Sequence, residues 1–287
     1  MKILLTGAAG QLGRELKRSL APLGNVIAFD RAQLDLANAD AVRHTVRHVA
    51  PSLIVNAAAY TAVDKAETDP TTAHAVNAIA PGILAEEARR MDVRLIHYST
   101  DYVFDGSGNQ PWRENDATAP LSVYGQSKLA GEQAIAATHC RSLILRTSWV
   151  FGLHGANFMK TMLRLGRERA ELGVIDDQFG APTWTRHLAD VSALLAAKPE
   201  ATGLYHLANA GETTWAGYAE AIFANAVRRG LLTKAPEVRR IATSDYPLPA
   251  KRPANSRLEC SRLKADHALI LPDWREALAD CLEDALH

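Results

Sequence analysis

Residues 2–13 read Lys2-Ile3-Leu4-Leu5-Thr6-Gly7-Ala8-Ala9-Gly10-Gln11-Leu12-Gly13. An apolar run long enough for one buried strand leads directly into glycines spaced Gly-x-x-Gly-x-x-Gly, and an amphipathic stretch follows. Glycines between a strand and a helix allow a tight turn and a close approach of backbone amides to a pyrophosphate, which the helix dipole also favours. The motif predicts a dinucleotide site at Gly7, Gly10 and Gly13, and an ordinary glycine turn is the alternative.

The same alternation of apolar and amphipathic runs continues to about residue 147. Strands are predicted at 2–6, 25–29, 53–56, 93–97 and 142–146, and helices at 11–20, 40–49, 71–90 and 122–137. Strands that are apolar on both faces and separated by helices indicate a parallel sheet covered on both sides. The predicted fold class is therefore α/β, with a Rossmann-like doubly wound parallel sheet.

The regular alternation of strands and helices ends after Trp149, and a smaller C-terminal lobe is predicted from there. Helices are expected at 157–166 and 186–197, strands at 172–176 and 203–207, and a proline-rich loop at 245–257. We expect residues 1–152, joined by about 186–208, to form an NAD(P)-binding domain. Residues 153–185 and 209–287 then form the substrate-binding lobe.

Composition excludes several classes of protein. The 287 residues contain 32 basic and 32 acidic side chains, so the formal net charge of zero gives no electrostatic case for a nucleic-acid or membrane-surface partner. Three cysteines without a Cys-x-x-Cys pair are typical of free thiols in a reducing compartment. No targeting signal or apolar run of ~20 residues is found, and we expect a cytoplasmic protein.

Polar and small residues that follow the second and third strands are candidates for the cofactor site. Asp30 is placed to accept hydrogen bonds from the adenosine ribose, and a helix cap is its alternative role. Arg31 could pair with a 2′-phosphate, so NADH and NADPH both remain open. Asp35 and Leu36 could border the adenine. The small side chains of residues 57–59, including Ala57 and Ala59, would let the backbone approach the cofactor, although tight packing explains them equally well.

Tyr124 and Lys128 are the candidate proton-transfer pair. They lie four residues apart, so on a helix the phenol and the ammonium share one face. A nearby cation favours the phenolate, and we expect it to move the phenol pKa from ~10 toward neutrality. Ser99 and Thr100, which follow an apolar strand, would supply hydroxyl donors.

These motifs together carry a resemblance to a known family. The Gly-x-x-Gly-x-x-Gly turn, Asn-Ala-Ala-Ala at 56–59, Ser-Thr-Asp-Tyr-Val-Phe-Asp-Gly at 99–106 and Tyr-x-x-x-Lys at 124–128 resemble the extended short-chain dehydrogenase/reductase family. Within it, the blocks at 59–67, 146–152, 177–183 and 252–258 are similar to the dTDP-4-dehydrorhamnose reductase family. The resemblance covers most of the chain, from residue 3 to about 260.

The resemblance implies NAD(P)H-dependent reduction of the C4 ketone of dTDP-4-dehydro-β-L-rhamnose to give dTDP-L-rhamnose. Tyr124 would be the general acid, Lys128 would hold the cofactor ribose, and Thr100 would bind the carbonyl oxygen. Thr100, Asp101 and Trp149 would contact the sugar nucleotide, and a core tryptophan just beyond the fifth strand is the alternative role of Trp149. The resemblance also implies cofactor contacts from Gly10, Gln11, Leu12, Asp30, Asp35, Leu36, Ala59, Tyr60 and Thr61.

Diphosphate and metal binding are less marked in the sequence. Arg252 and Arg257 could grip the diphosphate through guanidinium forks, and surface ion pairs are the alternative. Some members of the resembled family bind Mg²⁺ through acids such as Glu15 at a homodimer interface, which nothing in this sequence establishes. The ten histidines show no metal-ligand spacing, so no catalytic metal is assigned.

Two other functions remain open. A nucleotide-sugar epimerase or dehydratase would keep the fold and the cofactor, but a 4,6-dehydratase needs an acidic pair after the threonine, and only Asp101 is present. A non-catalytic regulatory subunit, like the partner of methionine adenosyltransferase, would share the fold. Such a subunit would be expected to lose the tyrosine, the lysine or the glycines, all of which this chain retains.

Overall fold

A six-stranded parallel sheet forms the centre of the molecule. The computed structural model describes residues 1–286. The sheet comprises strands β1 Lys2–Thr6, β2 Asn25–Phe29, β3 Leu53–Asn56, β4 Arg94–Thr100, β5 Ser142–Thr147 and β10 Gly203–His206, in the spatial order β10-β5-β4-β3-β1-β2. Every neighbouring pair is parallel. The predicted doubly wound fold is confirmed.

Helices cover both faces of this sheet because its strands are apolar on both sides. In β1, Ile3 and Leu5 pack into one buried cluster, whereas Leu4 packs into another on the opposite face. The helices are α1 Gln11–Leu20, α2 Ala39–Val49, α3 Val63–Ala66, α4 Pro70–His74, α5 Ala80–Arg90, α6 Val123–Ala137, α7 Phe158–Glu168, α8 Thr185–Ala196, α9 Trp215–Arg228, α10 Ser261–His267 and α11 Trp274–Asp284.

A separate apolar cluster organises much of the second half. Helices α7, α9 and α11 supply most of it, with Trp274, Tyr218 and Phe223 fully buried. The remaining strands are β6 Val150–Phe151, β7 Glu171–Ile175, β8 Phe179–Gly180, β9 Thr183–Trp184, β11 Thr213–Thr214 and β12 Glu237–Ile241, each in a two-stranded pairing. Helix α8 packs against α1, and β10 lies beside β5 in the main sheet. The division into two domains remains a prediction.

Two predicted elements differ from the structure. The helix expected at 71–90 is interrupted by a π-helical turn at Ala75–Ile79, which widens the helix and turns Asn77 toward the neighbouring loop. Strand β4 extends to Thr100, beyond the expected end at residue 97. No elements were predicted at the positions of α9, β12, α10 and α11. Across residues 1–286, no helix is both long and apolar enough to cross a membrane.

Candidate active site

A cavity of about 720 Å³ opens at the carboxyl ends of the central strands. The chain leaves β1 and adds β2 on one side and β3 on the other, so the strand order reverses at β1. Ligands of open α/β sheets bind at such a switch point, where loops from adjacent strands separate. Gly7 follows β1 and Ala57 follows β3, and both line the cavity.

The glycine turn is built for close backbone approach. Gly7 has a φ of +74°, and a Cβ there would lie 2.7 Å from the Ala58 amide nitrogen. A Cβ on Gly13 would lie 2.0 Å from the Gly7 carbonyl oxygen. Gly10 precedes α1 without a side-chain cap, so the amides of that helix end are free for an anion. These features fit the pyrophosphate of a dinucleotide.

We expect Gly13→Ala to weaken nicotinamide cofactor binding by at least ~10-fold and to lower the melting temperature, because its methyl group would displace the Gly7 carbonyl. Gly82→Ala on α5, away from the cavity, is the matched comparison, since its Cβ would lie 3.2 Å from the Ala134 side chain and needs only a small shift. Cofactor titration by fluorescence and thermal unfolding measure both effects. Equal affinities for the two variants would contradict this role for Gly13.

The loop after β2 forms the far end of the cavity. One carboxylate oxygen of Asp30 accepts hydrogen bonds from the amides of Ala32 and Gln33, at 2.9 and 3.1 Å. Asp30 therefore stabilises a turn rather than capping a helix, since the next helix begins at Ala39 with Asn38 as its cap, and it also lines the cavity. Arg31 is exposed at the cavity edge, and Leu36 is buried.

Helix α6 carries Tyr124 and Lys128 into the cavity. Ser122 caps the first turn of this helix by accepting a hydrogen bond from the Gly125 amide. The side chains of Tyr124 and Lys128 line the cavity one helical turn apart. Lys128 Nζ does not bond to the phenol. It donates to the Tyr98 carbonyl oxygen at 2.6 Å and lies 3.3 Å from His97 Nε2.

The pKa of Tyr124 differs from the sequence-based expectation. Burial raises it to about 12, and the facing Thr100 hydroxyl only partly offsets this effect. Burial also lowers the pKa of Lys128 to about 8. The expected shift of the Tyr124 pKa toward neutrality was wrong, because desolvation outweighs a cation that is directed elsewhere. The phenol consequently stays protonated at neutral pH, as a proton donor must.

Thr100 and Asp101 lie beside the phenol at the end of β4. Thr100 Oγ1 donates a hydrogen bond to Asp101 Oδ1 at 3.0 Å, and both residues are buried. Burial raises the pKa of Asp101 to about 6. The other oxygen of this carboxylate is buried and makes no hydrogen bond of ordinary geometry with the described residues, and the nearby Ser256 hydroxyl partly offsets the effect of burial on the pKa.

Trp149 forms an aromatic wall of the cavity. Its ring stacks on Trp215 with centroids 3.6 Å apart, and its backbone has a φ of +48°. Gly180 lies directly against this ring, because a Cβ there would be 2.6 Å from it. Trp149 is therefore held as a half-buried surface rather than as a fully buried core residue.

The guanidinium of Arg252 is already engaged in an ion pair. It donates two hydrogen bonds of 2.7 Å to the Asp64 carboxylate, which lowers the pKa of that carboxyl. Arg257 pairs in turn with Glu212 at 3.0 Å. Both arginines make the ion pairs named as their alternative, and diphosphate binding by Arg252 stays a prediction.

Most predicted site residues lie around one cavity. Those lining it are Gly7, Gly10, Gln11, Leu12, Asp30, Asp35, Leu36, Ala57, Ala59, Tyr60, Thr61, Thr100, Asp101, Tyr124, Lys128 and Trp149. Gly13 lies behind the turn, against Gly7. The sequence analysis missed Asn77, whose side chain bonds both to the Tyr60 backbone and to Ser127 Oγ on α6. A single asparagine within a helix carried no signal for this role.

The surroundings of Glu15 do not fit a divalent cation. Its buried carboxylate lies 3.2 Å from Arg18 and 3.4 Å from Arg186, and these two guanidinium groups also pair with Asp190 and Asp284. The Glu15 carboxylate is therefore engaged in an ion-pair network, and a divalent cation would have to displace the arginines. Among residues 1–286, no group of three or more histidine, cysteine or acidic side chains is arranged to hold a metal ion.

The cavity combines a glycine turn that leaves no room for side chains with the Tyr124–Lys128 pair on helix α6. Together these features define a Rossmann-fold oxidoreductase. The family described as RmlD substrate binding domain matches residues 1–287. The dTDP-4-dehydrorhamnose reductase of Escherichia coli K12 is 49% identical over 99% of this chain and 98% of its own. That of Burkholderia thailandensis is 47% identical over 100% and 99%.

A solved structure supports the same relationship. The dTDP-4-dehydrorhamnose reductase of Bacillus anthracis in complex with NADP superimposes with a TM-score of 0.93, at 35% identity and 99% coverage of each chain. The chain belongs to the RmlD substrate binding domain family. The resemblance inferred from the sequence blocks is confirmed.

Proposed function

We propose that this protein reduces the C4 ketone of dTDP-4-dehydro-β-L-rhamnose with NAD(P)H to give dTDP-L-rhamnose. The observation that carries the proposal is the single cavity that joins the glycine turn to Tyr124, Lys128 and Thr100. Full-length relatives named dTDP-4-dehydrorhamnose reductase support the choice of substrate.

The cofactor, when bound, supplies the hydride that is delivered to C4 of the sugar. The chain must then protonate the oxygen that gains negative charge. Tyr124 is the donor in this proposal, because its raised pKa keeps the proton on the phenol and its hydroxyl faces Thr100. Thr100 would hold the carbonyl oxygen in place, and Asp101 would accept a hydrogen bond from the sugar.

Lys128 would hold the nicotinamide ribose and, once the ribose excludes water, stabilise negative charge on the phenol. Trp149 would lie against the pyranose, because an indole face offers apolar area to sugar C–H groups. Arg252 would reach the diphosphate only by exchanging its pair with Asp64. A homodimer and the choice between NADH and NADPH stay predictions, and Arg31 is the residue placed to favour a 2′-phosphate.

The alternatives fit less well. A dehydratase must return protons at two carbons and needs a second acid after Asp101. The residue at that position is Tyr102, and burial raises its pKa above the ordinary tyrosine value. A purely structural subunit would not need the open cavity or the buried lysine.

The test is an assay with the purified protein, authentic 4-keto sugar nucleotide and either NADPH or NADH. We expect oxidation of the cofactor, followed by its absorbance, and formation of dTDP-L-rhamnose, identified by mass and by NMR of the C4 proton. Cofactor binding without turnover of this substrate would reject the proposed reaction. Turnover with only one nucleotide would decide between Asp30 and Arg31 as the residue that governs the ribose pocket.

A further inference from the structure

A buried row of polar side chains leads away from Lys128 into the sheet. Thr6 of β1, Asn56 of β3 and His97 of β4 are direct neighbours across three parallel strands. Thr6 Oγ1 lies 2.6 Å from Asn56 Oδ1, and Asn56 Nδ2 lies 3.0 Å from His97 Nδ1. Each of the three is at most 1% exposed. Polar groups buried this deeply must satisfy one another.

Lys128 terminates this row. Its ammonium has three N–H donors, and the structure directs two contacts to β4, one to the Tyr98 carbonyl oxygen and one to His97 Nε2. Lys128 also lines the cavity, so one donor remains for a ligand there. The contacts to β4 consequently determine where that last donor points.

We propose that His97 is a positioning residue: its imidazole, held by Asn56 and Thr6, orients the Lys128 ammonium toward the cofactor and sets the pH range in which it stays charged. This role rests on the proposed reduction. It assigns His97, Asn56 and Thr6 to the working of the site, although none of the three transfers a proton or touches the substrate.

The roles of the two imidazole nitrogens follow from the charge on Lys128. An ammonium can only donate, so Nε2 must accept and Nδ1 must carry the proton, which then goes to an amide oxygen on Asn56. The Asn56 amide nitrogen faces Nδ1 at 3.0 Å here, and in this orientation the proton lies on Nε2, so the imidazole offers the ammonium no acceptor. A half turn of the Asn56 amide, which exchanges its oxygen and nitrogen, gives the charged state of Lys128 the acceptor that it needs.

Two other acidic groups lie near helix α6 and have to be considered for the pH dependence. Glu132, one turn further on, raises the pKa of Lys128, but its carboxylate is neutralised by Arg146 of β5 at 2.6 Å. Asp101, on the segment after β4, acts on Tyr124. Burial is the largest effect and brings the Lys128 pKa to about 8, close enough to neutrality for one hydrogen bond to matter.

The test compares His97→Gln with His97→Asn in pH profiles of kcat/KM, recorded with the full-length enzyme. A glutamine amide reaches the place of Nε2 and keeps an acceptor for Lys128, whereas an asparagine amide reaches only Nδ1 and keeps the contact with Asn56. We expect the alkaline limb of the wild-type profile near pH 8. It should move down by about one pH unit in His97→Asn and stay in place in His97→Gln, since a hydrogen bond to a charged group is worth about one unit.

Two further variants make the result decisive. Ser192 of α8 accepts a 2.6 Å hydrogen bond from the phenol of Tyr98, which lies next to His97 on β4. Ser192→Ala should therefore lower the stability without moving the alkaline limb of the pH profile. Asn56→Asp offers only acceptors to His97 Nδ1 and should move the alkaline limb to higher pH. This variant still tests the inference if His97→Asn fails to fold. An unchanged limb in Asn56→Asp, or equal limbs in both His97 variants, would overturn the inference. A wild type without turnover would instead reject the proposed reaction itself.

Discussion

Tyr124→Phe is expected to lower kcat by ~10² to 10⁴-fold, the usual contribution of a positioned general acid. The substitution keeps the ring that packs edge-on against Tyr102, 5.4 Å between centroids, and removes only the proton donor. Cofactor affinity should change little, because the glycine turn and the loop after β2 are untouched. Single-turnover measurements with saturating cofactor would isolate the loss in the chemical step.

Tyr102→Phe is the matched comparison, because Tyr102 is another phenol that lines the cavity. Burial and Asp101 raise the pKa of Tyr102 above its ordinary value. The Thr100 hydroxyl faces the phenol of Tyr124 and not that of Tyr102 among the described residues. We expect its kcat to stay within a few-fold of the wild type, as a rough estimate for a residue outside the chemistry. A larger loss in Tyr102→Phe than in Tyr124→Phe would reverse the assignment of the acid.

The first half of the fold was readable because its strands are short, apolar on both faces and separated by amphipathic runs. The 2–13 stretch specified a strand, a turn and a helix with bounds that the structure reproduces. In the second half, α7, β7, α8 and β10 were predicted within a few residues of their bounds, whereas strands β6, β8, β9 and β11 were not, because two residues are too few to show any periodicity. The longer elements α9, β12, α10 and α11 were also missed, and their length does not explain it.

The site was predictable where residue type and spacing carry the chemistry, as at Tyr124 and Lys128. Interactions across the sheet were not predictable, because they join residues far apart in the chain. Asn56 was noted only as the start of a run of small residues, yet its side chain touches His97, 41 positions later. The burial of Tyr124, which raises its pKa, likewise depends on the folded surroundings, and so the pKa argument from spacing alone failed.

Lys128→Met is expected to have the second large effect, lowering kcat/KM by ~10² or more and weakening cofactor binding several-fold, as a rough estimate for the loss of a buried charge-assisted contact. Methionine fills nearly the same volume between α6 and β4, so the helix should remain packed. The loss follows from the proposed roles, because the ribose loses its donor and the site loses the buried cation one helical turn from the phenol. Isothermal titration with the cofactor and steady-state kinetics measure the two effects separately.

Stability must be separated from function in this variant, because the Tyr98 carbonyl and His97 Nε2 lose their common partner. Each unpaired buried group costs ~1–3 kcal/mol, so the melting temperature should fall. Lys264→Met, at an exposed position on α10, shows what losing a lysine costs in general.

Tyr124→Phe and Lys128→Met should also be strongly non-additive, since either removes the same proton-delivery step. Losses that simply multiply in the double variant would mean that the two residues act independently, and the proton-delivery pair would have to be abandoned.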